Sequence, residues 1–70
     1  MQVRSAVIDW QDKALTITDT TGAKHTISWE KEILVTMKGY PDRETKTMAA
    51  RDLGPYMSRG YIIEQIEVKG

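Results

Sequence analysis

The sequence around Gly60 joins a helix signal to a β-strand signal and so restricts the fold most strongly. Glycine is the usual residue just past a helix end, because it adopts the left-handed conformation without a Cβ clash. The residues that follow, 61–68, are rich in β-branched and aromatic side chains, which suit a pleated and partly buried surface. The junction therefore predicts an α+β domain that ends in a strand.

The first thirty residues predict three antiparallel strands. Residues 3–10 carry apolar side chains at both parities, which is typical of a strand that is buried on both faces. Residues 15–18 and 25–29 alternate apolar and polar side chains, and the turn between them contains Gly22. In its rhythm this meander, from Val7-Ile8-Asp9 to Ile27-Ser28-Trp29, resembles the first hairpins of small SH3-like or Sm-like barrels. The resemblance implies an alternative fold, which is a small barrel with an added helix. Because none of the sequence signatures of these barrels is present, the resemblance implies no function.

The segment between residues 29 and 48 fits two structures. Ser28 would cap a helix that ends at Gly39, with acidic residues in its first turn and Lys38 in its last. The rival is a hairpin of strands 33–38 and 44–48, joined by a type I turn at Tyr40-Pro41-Asp42-Arg43. The β-branched residues near Val35 favour the hairpin.

Residues 47–59 predict one helix, because apolar residues recur there at three- and four-residue spacing. Gly54-Pro55 interrupts the pattern. Proline within a helix clashes with the carbonyl four residues earlier, so we expect a kink or a restart at Pro55. The predicted fold is thus a small antiparallel sheet of four to five strands with this helix packed on one face.

The length of 70 residues corresponds to a single domain, 1–70. Such a chain buries about 60% of the surface that its unfolded form exposes, and one core supplies on the order of 3–5 kcal/mol. The chain has no Cys and one His, so we expect no disulfide, no metal site and no cofactor. Association of identical copies would add buried surface, and the sequence is compatible with a monomer or a homo-oligomer.

The charge balance is even, with ten Lys/Arg against ten Asp/Glu and no basic run. Nucleic-acid binding is driven by phosphate contacts and is usually accompanied by a basic excess. A nucleic-acid-binding barrel is therefore the second hypothesis, with contacts from Arg4, Lys13, Lys24 and Lys38. No apolar segment is long enough to span a bilayer, and we expect no membrane contact. Met1 is followed by no apolar leader, which predicts a complete cytoplasmic chain.

No pattern of residues predicts catalysis, and we expect no enzymatic activity. His25 alternates with Ile27 and Trp29, which is typical of a residue on a sheet face. Asp9, Asp12 and Asp19 fall near strand ends, where local hydrogen bonds explain aspartate better than a cation site does. Glu64 shares its parity with Ile62, Ile66 and Val68, and it is the discordant residue of the last strand.

These observations favour a non-enzymatic interaction protein that binds and modulates a larger protein. Short reading frames that encode proteins without net charge are frequent among phages and mobile elements, where the products serve as accessory proteins. Trp10 and Trp29 end predicted strands, and without any Phe in the chain we expect both to supply core volume. The residues predicted to contact the partner are Tyr40, Asp42 and Arg43, with Trp10 or Trp29 as anchors. A third hypothesis is an oligomer that sequesters a small ligand between subunits.

Overall fold

Six strands form two antiparallel sheets of three strands each in the computed structural model, which describes residues 1–39 and 42–69. The α+β class is confirmed, although the strand count exceeds the predicted four to five. In chain order the elements are β1 (Val3–Asp9), β2 (Ala14–Asp19), β3 (Lys24–Ser28), β4 (Glu32–Lys38), β5 (Arg43–Ala49), a 3-10 helix (Ala50–Asp52), α1 (Leu53–Ser58) and β6 (Ile62–Val68).

The first sheet is the predicted meander, in the order β1-β2-β3. Leu15 in the central strand lies opposite Ile8 on one side and Ile27 on the other. Leu15 and Ile17 are fully buried, and the threonines that alternate with them lie on the opposite face. The sheet therefore has one apolar face, which packs into the core.

The second sheet has the order β5-β4-β6, so the hairpin is confirmed and the helical alternative for residues 29–48 is wrong. Ile33, Val35 and Met37 alternate along β4 and are fully buried. The N–H of Gly39 donates to the carbonyl oxygen of Asp42 at 3.1 Å. The predicted turn residues Tyr40 and Pro41 lie outside the described residues.

The helix is shorter than the predicted 47–59. Residues up to Ala49 belong to β5, because the ladder with β4 continues to the pair Glu32 and Ala49. The 3-10 helix and α1 then follow without a break. Pro55 is the third residue of α1. The first four N–H groups of a helix have no partner within it, so the N–H that proline lacks costs no helical hydrogen bond here. The α-helix thus starts at Leu53, two residues before Pro55, and Pro55 lies in its first turn, so we expect Pro55→Ala to leave stability nearly unchanged.

A β-bulge in β6 resolves the discordance at Glu64. Thr36 lies opposite Gln65, whereas the next residue, Met37, lies opposite Ile63, so Glu64 is the extra residue. The bulge lets Ile63 and Ile66 both pack on the core, and Glu64 forms an ion pair with Arg43. The expectation that Glu64 shares a face with Ile66 is wrong, since the extra residue changes the alternation.

The two sheets meet where the N-terminus reaches β6. Gln2 forms an isolated antiparallel bridge with Gln65. The N-terminal ammonium of Met1 donates to the carbonyl oxygen of Ile66 at 2.7 Å, and the N–H of Ile66 donates back to Met1 at 3.0 Å. Both sheets contribute to one buried cluster, which contains Leu15, Ile17, Ile33, Val35, Met37, Ala50, Leu53 and Ile66.

Within residues 1–39 and 42–69, no helix combines the length and the apolar character needed to cross a membrane.

Candidate functional site

An open apolar groove lies between β1 and α1, and we call it the β1–α1 groove. Its volume is about 530 Å³. One side is formed by β1 and the residue that follows it, and the other by α1. The groove is lined by Ala6, Val7, Ile8, Trp10, Gly54, Pro55, Met57 and Ser58. The size falls within the range typical of protein binding sites.

Trp10 and Val7 are the most exposed large apolar side chains of this groove, at 62% and 61%. The ring of Trp10 meets that of Trp29 edge-on, with the centroids 5.2 Å apart and the planes at 76°. Trp29 is half-buried, and its N–H donates to the carbonyl of Lys13, which fixes the end of β3 beside the β1–β2 turn. The expectation that Trp10 supplies core volume is wrong, because its side chain is mostly exposed and is not part of the buried cluster.

Gly54 lets α1 approach β1 closely. A Cβ at this position would lie 3.3 Å from Cδ1 of Ile8 and 3.6 Å from Cζ2 of Trp10. The sequence suggested Gly54 as an interruption of a helix, but its structural role is close contact with β1. Val7 was also missed as a site residue, since apolar side chains at both parities of β1 were interpreted as burial on both faces.

The predicted contact residues Asp42 and Arg43 lie away from this groove. Arg43 begins β5 in the second sheet, and its Nε lies 2.6 Å from Oε1 of Glu64. Arg43 and Glu64 border a smaller depression of about 250 Å³ together with Gln2, Thr36 and Gln65. Asp42 is exposed, and Tyr40 lies outside the described residues. The structure therefore joins Trp10 to Trp29 but does not join either to the Arg43 ion pair.

The four basic residues of the nucleic-acid hypothesis are exposed and dispersed. Lys13 lies in the β1–β2 turn, whereas Lys24 lies opposite Thr18 at the other end of β2. Lys13 and Thr18 are five residues apart, which corresponds to about 17 Å along a strand. Lys38 ends β4 in the second sheet, and Arg4 lies within β1. Their positions do not form one basic stripe.

The aspartates near the strand ends organise turns. Oδ1 of Asp9 accepts hydrogen bonds from the N–H groups of Gln11 and Asp12 at 2.9 and 3.0 Å. Asp19 lies at the far end of β2, where it accepts hydrogen bonds from Thr21 and interacts with Nε2 of His25 at 2.8 Å. In the described part of the chain, no three His, Asp or Glu side chains lie close enough to hold a metal ion.

Asp19 is expected to make stability depend on pH. The hydrogen bond from the Thr21 side chain has the largest effect and that from His25 the next largest, and together they hold the pKa of Asp19 well below its usual range. A depressed folded-state pKa stabilises the fold above the unfolded value of about 3.9, and this contribution is lost as the pH falls through the folded value. We expect Asp19→Asn to lower the free energy of unfolding at neutral pH, and the difference from wild type to shrink below about pH 4.

Urea unfolding at a series of pH values measures this difference directly. Asp12→Asn, which removes an exposed carboxylate from the opposite turn, is the matched control. A difference between wild type and Asp19→Asn that stays constant from neutral pH to about pH 3 would contradict the assignment.

Searches against protein-family models, curated proteins and solved structures found no match to this chain. The fold and the site define it as a small α+β protein with two three-stranded sheets and an exposed apolar groove beside an outer strand.

Proposed function

We propose that this protein is a non-enzymatic interaction protein that binds a larger protein partner through the β1–α1 groove. The observation that carries the proposal is the exposure of both Trp10 and Val7 in one apolar groove. Contiguous exposed apolar surface, rimmed by polar residues, marks interaction sites in small proteins. The absence of Cys is consistent with the reducing cytoplasm, which is the compartment we propose.

Trp10 has the properties of an interface anchor. Tryptophan is enriched among the residues that dominate binding energy, particularly where a partner covers the ring and excludes water. The edge-on contact with Trp29 restricts the orientation of the Trp10 ring before binding. A ring that is already oriented loses less conformational entropy when the partner binds.

The shape of the groove favours a protein partner over a small ligand. Small-molecule sites usually enclose most of the ligand surface, whereas this groove is open between β1 and α1. The dispersed basic residues also make nucleic acid the weaker hypothesis. Arg43 is engaged by Glu64, so the surface proposed here centres on Trp10 rather than on Asp42 and Arg43.

Affinity capture with immobilised protein, followed by titration of the purified partner, tests the proposal. We expect Trp10→Ala to weaken binding by about 30-fold or more, as truncation of an anchor residue does. Arg43→Ala is the control, because it removes a long exposed side chain from the alternative surface. Circular dichroism of both variants verifies that they are folded.

The titration separates the two surfaces. A partner that binds wild type and Trp10→Ala equally, and loses affinity only for Arg43→Ala, would place the interface around Arg43 and overturn the proposed site. A chain that captures no protein, but binds oligonucleotides with an affinity that falls steeply with salt, would support the nucleic-acid hypothesis instead.

A further inference from the structure

The β1–β2 turn, residues 10–13, brings Trp10 to the β1–α1 groove. Trp10 is the first residue after β1, and it lines the groove beside residues of that strand. Its side chain is 62% exposed, so burial in the core does not hold the ring. The position of this anchor must therefore come from the turn itself and from the few groups that contact it.

Asp9, the last residue of β1, organises the turn with its side chain. Its Oδ1 accepts hydrogen bonds from the N–H groups of Gln11 at 2.9 Å and Asp12 at 3.0 Å. Aspartate stabilises turns in this way because its short side chain reaches the main chain two residues further on. Both donors follow Trp10 in the chain and the acceptor precedes it, so these bonds close the main chain around Trp10.

The end of the turn has a defined conformation as well. Lys13 has a φ of 53°, in the left-handed region that residues other than glycine seldom occupy. A residue keeps such a conformation only when its surroundings impose it. The surroundings here include the N–H of Trp29, which donates to the carbonyl oxygen of Lys13 at 2.9 Å. The turn is therefore held at its end as well as at its start.

Trp29 connects the turn to the opposite side of the groove. Its carbonyl oxygen accepts a hydrogen bond at 2.6 Å from the N–H of Arg51, which lies in the 3-10 helix that leads into α1. The ring of Trp29 meets that of Trp10 edge-on, with the centroids 5.2 Å apart. On the side of α1, a Cβ at Gly54 would lie only 3.6 Å from Cζ2 of Trp10. The Trp10 ring thus lies beside two elements whose main chains are joined through Trp29.

We infer that Asp9 is a positioning residue of the β1–α1 groove. Its hydrogen bonds within the β1–β2 turn hold the Trp10 ring against Trp29, in the orientation in which a partner meets it. The inference rests on the proposed function and adds that the turn, as well as the Trp10 side chain, determines affinity. Asp9 is not among the residues that line the groove. It acts through Trp10, because a ring that is held in its binding orientation loses less conformational entropy on association.

Two variants of Asp9 separate the geometry of the turn from the charge. Asparagine keeps an Oδ1 that accepts the same two hydrogen bonds, and it removes the negative charge. Glutamate keeps the charge, but its additional methylene moves the carboxylate away from these N–H groups. Asp9 is exposed, so both variants should fold. Asp12→Ala is the matched control, because it removes an exposed aspartate side chain from the same turn.

The contact between the two indole rings can be measured without any partner. Neighbouring indoles couple their electronic transitions and give two bands of opposite sign in far-UV circular dichroism, and Trp10→Phe identifies this signal by removing it. We expect the signal in wild type, Asp9→Asn and Asp12→Ala, and we expect its loss in Asp9→Glu. Urea unfolding verifies that each variant is folded. A wild-type spectrum without the signal, or an equal signal in Asp9→Glu, would overturn the role of Asp9.

Titration of the captured partner tests the consequence for binding. We expect Asp9→Glu to weaken binding by about fivefold to tenfold, which corresponds to the loss of one or two hydrogen bonds of ordinary strength. Asp9→Asn and Asp12→Ala should bind as wild type does. If Asp9→Asn weakens binding as much as Asp9→Glu, the charge of Asp9 acts directly and the positioning role is overturned.

The two measurements together distinguish this inference from the proposed function. If the dichroism signal is lost in Asp9→Glu while the affinity is unchanged, the orientation of Trp10 does not affect binding. The inference then fails and the proposed function stands. If Trp10→Ala binds the partner as tightly as wild type does, the proposed function fails, and the role of Asp9 in binding fails with it whatever the spectra show.

Discussion

Replacement of Ile66 by alanine is expected to lower the free energy of unfolding by about 2–5 kcal/mol. Ile66 is fully buried, and its backbone bonds with Met1 hold the N-terminus against β6 at the junction of the sheets. Removal of its side chain leaves a cavity where both sheets share one core. Because a chain of this size has on the order of 3–5 kcal/mol of stability, a large fraction of Ile66→Ala molecules should be unfolded at 25 °C.

Ile62→Ala is the matched control for this prediction. Both residues are isoleucines of β6, but Ile62 is 61% exposed. Both substitutions lose strand propensity, which is worth at most about 1 kcal/mol, so the difference between them reports burial. Urea unfolding of the two variants measures that difference. Equal destabilisation would mean that Ile62 and Ile66 share a face and that β6 has no bulge.

The strands of the first sheet could be predicted because their signals are local. Alternation at Leu15 and Ile17, with turn residues on either side, determines both the strand and its buried face. The hairpin of β4 and β5 was also predicted, because β-branched residues outweighed the capping signals near Ser28. In each case the preferences of neighbouring residues agree with the tertiary structure.

The errors arose where packing against distant residues decides the outcome. The segment from Thr47 to Ala49 has helical spacing of its apolar residues, yet it pairs with β4 because the hairpin extends that far. The bulge at Glu64 depends on the register with β4, which no pattern within residues 61–68 reveals. Non-local pairing therefore set both the end of β5 and the faces of β6.

The groove was the least predictable feature for the same reason. Trp10 and Val7 are apolar residues within the predicted strand of residues 3–10, so the sequence favoured their burial. Within the described residues, the bridge between Gln2 and Gln65 does not continue as a ladder along β1, and α1 packs beside the later part of that strand. Whether Trp10 is exposed or buried depends on how β1, β6 and α1 are arranged, and the sequence alone does not show that arrangement.

Gly39→Ala is expected to destabilise the protein by about 1–3 kcal/mol through overpacking. Gly39 is buried at the end of β4, and a Cβ there would overlap the ring of Tyr61, with Cδ2 and Cζ at only 2.8 Å. Tyr61 in turn packs edge-on against Tyr56, with the centroids 5.4 Å apart. The Tyr61 ring would therefore have to move away from the new Cβ, although Tyr56 already restricts its position.

A double-mutant cycle with Tyr61→Ala separates this overlap from any effect on the backbone. Without the Tyr61 ring, Gly39→Ala meets no obstruction from that side chain and reduces the freedom of the unfolded chain, which stabilises proteins by about 0.4–1 kcal/mol. The sign of the Gly39→Ala effect should thus reverse between the two backgrounds, as measured by thermal or urea unfolding. An equal loss of stability in both would show that the obstruction at Gly39 does not come from the Tyr61 ring.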